Sequence, residues 1–356
     1  MKHSSHMQAF AVRRRQRGLS LVELMVAMTI GAVLIFGATQ VFLNSRNSYG
    51  VNESVARLQE SARYAMSVIE PDVRMANYWG LSATAPIPAA QPVTAGACGA
   101  TFVVDFPNNL VGDNNTYQLS ADSTAACDAL TDINTGAAWA TNAVATADTL
   151  VVRRASAAVS AATPGIMQVC STRANSQILG GTPCPGGTVG QINNLFINAY
   201  YIDRNSAQLA GLPSLRRKTL SSAVGGVPRM LDQEIMPGVE DMQVQFGVAQ
   251  QAAVAAGGGA TRYVNPNAVP VGYVVVAVRI WLLVRADTGE TGFTDNRVYT
   301  YGDRVGAGVT GDLNSAAAAG VPYQPSLNPD AALLGARHAR RLLISRTIFV
   351  RNSVDN

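Results

Sequence analysis

The feature that most constrains this 356-residue chain is an apolar run, residues 19–43, that holds one charged side chain, Glu23. At 1.5 Å per residue a helix of that length reaches about 37 Å, beyond the roughly 30 Å hydrocarbon core of a bilayer. An acidic group at the centre of a membrane helix costs about 2.5–3.5 kcal/mol on insertion scales, so Glu23 needs a cationic partner. Four arginines, Arg13, Arg14, Arg15 and Arg17, stand before the run. The positive-inside rule keeps them cytoplasmic and places everything after the span outside the inner membrane. A secretory signal has a shorter apolar core. A plain membrane anchor fits the length but leaves Glu23 unpartnered.

A cut between Gly18 and Leu19 would create an amine at Leu19 and make Glu23 the fifth residue of the new chain. Basic leader, glycine, apolar residues, glutamate and further apolar run, all in register, resemble the type IV prepilin signal. That resemblance implies cleavage by a membrane prepilin peptidase between Gly18 and Leu19, N-methylation of Leu19, and a subunit-assembly role for Glu23 against a neighbour's amino terminus.

Charge takes a different meaning once the leader is set apart. The chain has 27 Lys and Arg against 23 Asp and Glu, but residues 1–18 carry five basic residues and no acid, which leaves 22 against 23. The basicity belongs to topology and gives no support for a nucleic-acid partner. His3 and His6 lie in the leader, so His338 is the one histidine after it and no His-dependent triad can be assembled. Phosphate-loop, nucleophile-elbow, zinc-protease and dinucleotide signatures are missing from the sequence, and neither an enzyme activity nor a cofactor is expected. Four cysteines, Cys98, Cys127, Cys170 and Cys184, follow the leader. In an exported chain an even count suggests disulfides, with the sequence-adjacent pairs favoured among three connectivities. No C-x-x-C pair supports zinc. Asp105 and Asp113, near Asn108, Asn109, Asn114 and Asn115, match no regular calcium loop and read as a solvated turn, so no metal is expected.

After the apolar run, Val51, Val55, Leu58, Ala62, Ala65, Met66, Ile69 and Val73 recur at helical spacing with charged residues on the other faces. One helix therefore continues past the span and offers an apolar stripe to a globular domain. Pro71 is expected to kink or end it. Alternation over residues 273–285 predicts a strand, and further strands are expected at 101–106, 149–153, 195–202, 241–246, 297–301 and 342–351. Stretches 81–100, 121–165 and 252–260 are expected to be loops. The fold class is α+β: a long N-terminal helix packed on an antiparallel sheet. Its parts are a leader (1–18), a membrane half of the helix (19–43), an amphipathic half (44–80) and a β-rich globular part (81–356), either one body or lobes of about 81–194 and 195–356.

Three later blocks narrow the family. Gly238-Val239-Glu240-Asp241-Met242-Gln243-Val244-Gln245-Phe246-Gly247, the strand ending at Arg285, and Thr347-Ile348-Phe349-Val350-Arg351-Asn352 resemble the carboxy-terminal domain of PilW-type minor pilins of the type IV pilus. Residues 72–80 resemble the end of that family's first helix, with Asn77 where a glycine is usual. The resemblance implies a pilin-like fold and a minor pilin that joins other minor pilins in a priming or tip complex, supporting twitching motility and adhesion. It also implies contact with the major pilin, the inner-membrane assembly platform and a tip adhesin. A minor pseudopilin of type II secretion shares the leader and helix. A membrane-tethered periplasmic enzyme is the rival from another class.

Overall fold

In the computed structural model the described residues are 18, 20–87, 100–115, 130–131, 138–139, 143–144, 147–179, 184, 190–224, 227–290, 292–304 and 337–353. The chain divides into two units, with the boundary between Glu53 and Ser54 inside the long helix α1 (Leu21–Arg74). In the first unit, α1 residues 21–53 leave their apolar side chains exposed, among them Leu24, Met28, Leu34, Phe36 and Phe42. In the second, the rest of α1 buries Leu58, Ala62, Ala65, Met66, Ile69, Asp72 and Val73. That is the expected stripe from Leu58 on, with one acidic residue added to it; Val51 and Val55, also expected on it, are half-buried.

Two antiparallel sheets make up most of the second unit. The first is centred on β7 (Gln191–Asp203), which carries β4 (Leu150–Val159) on one edge. Its other edge carries β5 (Gln168–Ser171) and then β8 (Ser214–Val224). The short β1 (Leu110–Val111) pairs β4, β6 (Ser176–Leu179) pairs β5, and β9 (Val227–Pro237) pairs β8. A separate small ladder joins β2 (Leu130–Thr131) to β3 (Ala138–Trp139). The second main sheet has the order β11 (Arg262–Val264), β10 (Val239–Gln250), β12 (Tyr273–Arg285), β13 (Arg341–Phe349).

Period-two alternation decides what each face buries. Leu150, Val152, Tyr200 and Ile202 of the first sheet join Met242, Val244, Phe246, Val278, Ile280 and Leu282 of the second around the α1 stripe. Val151, Ala155, Ile197 and Ala199 face the other way, into a second core with Trp79, Phe102 and Phe106, where Trp79 and Phe106 meet edge-to-face at 5.4 Å. Each fully buried large aliphatic or aromatic side chain contributes about 1.5–3 kcal/mol relative to exposure.

Four expectations need correction. Residues 101–106 are not a strand: α2 (Ala100–Val104) occupies most of that stretch, and the Phe102 carbonyl accepts the Arg153 guanidinium at 2.8 and 3.1 Å instead of a neighbouring strand. Residues 297–301 form no strand: Tyr299 and Tyr301 stand in single bridges, Tyr301 with Arg304, and both hydroxyls turn inward to donate to buried carboxylates. Within the supposed loops, β4 runs on to Val159, and residues 251–255 form a short helix, α3 (Gln251–Ala255), that buries Val254. Pro71 does not end α1 at once, since the helix runs to Arg74. Its last turn tightens there, with the Ala76 N–H donating to the Val73 carbonyl at 3.2 Å and Asn77 at φ 64°.

Candidate functional site

Ser20 caps α1. The Glu23 N–H donates to Ser20 Oγ at 3.2 Å and the Leu24 N–H to the Ser20 carbonyl at 3.1 Å, so regular helix begins two residues after the expected cut. Ser20-x-x-Glu23 is the sequence form of a capping box, a signal that the prepilin reading passed over. Glu23 therefore sits in the first turn, where a carboxylate is favoured by the helix dipole, on a segment exposed on every side. Gly18 is described and has open space around it; Leu19, Arg13, Arg14, Arg15 and Arg17 lie outside the described residues. Along the apolar stretch, Thr29 Oγ1 donates to the Val26 carbonyl at 2.9 Å and Thr39 Oγ1 to the Ile35 carbonyl at 2.8 Å. Both hydroxyls are thus satisfied inside the helix, as a hydrocarbon environment demands. By length and composition α1 can cross a membrane.

The carboxy-terminal end of the same helix is fixed by Asp72, which is buried in α1 one residue after Pro71. Asp72 Oδ1 accepts from Arg154 Nε and Nη2 at 2.9 and 2.6 Å, and Oδ2 accepts from Asn198 Nδ2 and Tyr200 Oη, each at 2.5 Å. Four donors satisfy one buried carboxylate. Burial, and then the Asp72 charge and hydrogen bond, push the Tyr200 hydroxyl well above its usual range. The position was legible in principle: Asp72 falls three residues after Ile69, on the stripe itself.

Asn77 explains both the departure from glycine and the Arg-Asn ending. Its positive φ is one that asparagine tolerates. Its Nδ2 donates to the Asn352 carbonyl at 2.8 Å, its Oδ1 accepts from Trp79 Nε1 at 2.8 Å, and Asn352 Nδ2 returns a bond to the Ala76 carbonyl at 3.2 Å. The chain's last described strand is thereby tied to the end of α1. In the Gly238 to Gly247 block, a register shift between Val239 and Asp241 lets the adjacent Glu240 and Asp241 both be buried and both find arginines. Glu240 accepts from Arg341 at 2.6 and 3.1 Å, and Asp241 from Arg304 at 2.6 and 2.9 Å. Gly238 takes φ 87° with an added β-carbon only 2.7 Å from the Arg285 carbonyl, so the block needs glycine there.

Cys170 and Cys184 form a disulfide, Cα–Cα 5.7 Å, as the adjacent pairing anticipated. Cys98 and Cys127 lie outside the described residues. The Asn/Asp cluster of the sequence splits. Asp105 pairs with Asn108 on the surface, Asn109 reaches Asn77, and Asp113 to Asn115 turn toward Asp148 and Asp303. His338 is exposed, its Nδ1 2.6 Å from the Phe293 carbonyl. Burial pushes Asp148 well above the usual carboxylate range, against the Asn115 and Val244 N–H groups that pull it down.

Two family descriptions match this chain. Residues 13–39 match the prokaryotic N-terminal methylation motif, and residues 199–352 match Type IV Pilus-assembly protein W. The chain carries a PilW-type domain and, ahead of it, a prepilin-type methylation motif. The PilW match starts near the end of β7 and stops at Asn352, so it encloses Glu240, Asp241, Arg304 and Arg341, while Asp72 and the disulfide fall outside it. A comparison with curated proteins gives no match. Among solved structures the chain is similar to a type IV-like pilin from Thermus thermophilus, at 11% identity and a TM-score of 0.36, over 83% of this chain and 98% of the other.

Proposed function

We propose that this PilW-type chain is a minor pilin whose work is binding and assembly, not catalysis. It enters the inner membrane with its arginine leader cytoplasmic and its globular unit periplasmic. A prepilin peptidase then cuts between Gly18 and Leu19 and methylates Leu19. It joins other minor pilins in a priming complex that starts the type IV pilus and stays at or near the tip, with the major pilin, the assembly platform and a tip adhesin as further partners. Twitching motility and adhesion would depend on it.

One observation carries this reading: Glu23 is the single charge between the leader and Arg46, held in the first turn of α1, where the large apolar side chains from Leu21 to Leu43 are exposed. The amine created at Leu19 of a neighbouring subunit supplies the cation that this carboxylate needs in an apolar setting. Outside the bilayer the same surface must be buried against equivalent helices, and Gly31 and Gly37, with open space around them, allow close approach. The test is the intact mass and terminal peptide of the membrane-extracted protein, combined with Glu23→Ala. A start at methylated Leu19, with Glu23→Ala inserted in the membrane but no longer recovering partner pilins, supports the proposal. A retained leader, or normal pilus number with Glu23→Ala, overturns it. Loss of secretion instead of motility on deletion would assign the chain to type II secretion.

A further inference from the structure

The cluster that the pilus reading does not use lies where loop 112–115, the start of β4, strand β10 and loop 302–304 meet. Asp148 is buried, its Oδ1 accepting the Asn115 N–H at 2.8 Å and its Oδ2 the Val244 N–H at 2.7 Å. Asn115 Nδ2 donates to Asp303 Oδ2 at 2.7 Å, and Asn265 Nδ2 lies 3.4 Å from the same oxygen. Asp303 and Asn265 are 4% and 3% exposed. Yet Asp303 Oδ1, Asn265 Oδ1 and Asn114 Oδ1 are buried and accept no hydrogen bond among the described residues. A buried acceptor left unsatisfied is destabilising, and a charged one more so.

Those three oxygens share a chemistry. All are hard acceptors, one formally charged and two amide, on segments that Asn115 and Asn265 tie together at Asp303. The guanidinium of the cluster, Arg304, is engaged with Asp241 in a two-bond pair. Among the described residues no three carboxylate, imidazole or thiol groups gather to hold a metal ion, so a cation here must rely on amide and backbone oxygens beside its carboxylate. A site with one or two carboxylates completed by amide and backbone oxygens suits calcium, which takes six to eight oxygens in flexible geometry, better than it suits magnesium. We propose that Asp303 Oδ1 and Asn265 Oδ1, with the Asp113 to Asn115 loop, bind a calcium ion. The ion ties loop 112–115 to loop 302–304 and the 3-10 turn at Pro266–Ala268. The loop is shaped for close approach to this wall: a β-carbon on Gly112 would come within 2.2 Å of the Thr149 carbonyl. This goes beyond the pilus reading and does not depend on it.

The test is equilibrium dialysis of radioactive calcium with the detergent-solubilised full chain, stripped by chelator, at constant ionic strength and with magnesium as competitor. The expected result is one saturable calcium per chain with a dissociation constant of about 1 mM or tighter, the range of extracellular calcium modules. The thermal midpoint should rise with calcium as mass action requires. Asp303→Asn should weaken binding at least about tenfold and Asn265→Ala several-fold, while Asp105→Asn, on the exposed half of the original cluster, should leave it unchanged. Terbium emission sensitised by Tyr301 and displaced by calcium reads the wild-type site directly, so a variant that fails to fold does not end the test. The proposal is overturned by no saturable binding up to about 5 mM, by binding that Asp303→Asn and Asn265→Ala leave intact, or by terbium emission that calcium does not displace.

Discussion

The two halves of α1 show how one helix can serve two solvents. From Leu21 to Glu53 its apolar side chains are exposed all round, and its two threonine hydroxyls are satisfied within the helix. From Ser54 to Arg74 burial narrows to a stripe running from Leu58 to Val73, and near its end lies a carboxylate held by four donors. In the first half the acid of the apolar run, Glu23, has on the proposed reading its partner outside the chain; in the second the one buried acid, Asp72, has its partners built in. An acidic residue in an apolar helix is thus a question about where its cation comes from.

Asp72→Ala breaks the comparison most severely. It leaves Arg154 and Tyr200 without their acceptor and should lower the stability of the globular unit by about 3–5 kcal/mol, read from denaturant unfolding followed by tryptophan fluorescence. Glu23→Ala should leave that unfolding curve where it was. If the two substitutions shift it equally, the division of labour is wrong. Next, Ile69→Ala should cost about 2–5 kcal/mol through lost burial and a residual cavity, whereas Leu34→Ala, on the exposed half, should fall within about 0.5 kcal/mol of the parent.

The disulfide sharpens the same comparison away from the helix. A loop closed over 14 residues by Cys170 and Cys184 should contribute about 3 kcal/mol, lost in the Cys170→Ser, Cys184→Ser double variant. Gly190→Ala probes the packing of that bridge alone. A β-carbon there would lie 2.8 Å from Cys184 Sγ and 3.0 Å from Cys170 Sγ, so a cost of about 1–3 kcal/mol is expected with the disulfide still formed, checked by thiol titration.

What the sequence disclosed followed from what recurs. The α1 stripe, the alternation of β12 and the strands around residues 195–202 and 241–246 were legible because apolar residues repeat at the period of their element. The leader was legible because its parts must occur in register. Illegible were elements whose partners are polar: β8 and β9 hold Arg216 against Asp232 and Arg217 against Gln233 across the ladder, so they lack an apolar run. Asp72 escaped notice because periodicity treats an acid as surface, although its spacing put it on the buried face. Asn77 shows the reverse case, where the departure from glycine was visible but its cause, three side-chain hydrogen bonds from a left-handed residue, required the fold.

The smallest expected effect concerns Glu70, on the half-exposed flank of the anchored half of α1. Burial pushes its carboxyl up, but hydrogen bonds and charge from Arg346 and then Arg74 outweigh this and hold it below the usual 4.5. Asp295 is likewise lowered, where burial is outweighed by Arg297 and Tyr299. A carboxylate with a depressed folded value lends stability that is fully present above its unfolded value and is lost as pH falls through the folded one. The share of stability that these two carboxylates lend should therefore hold from neutral pH down to about 4.5 and decline below it. Because Arg346 is half exposed, the Glu70 share is screened and should stay under about 1 kcal/mol. Glu70→Gln should flatten the acid limb slightly without moving the neutral plateau by more than that. A plateau that drops by several kcal/mol would make Glu70, and not Asp72, the main tie between α1 and the sheet.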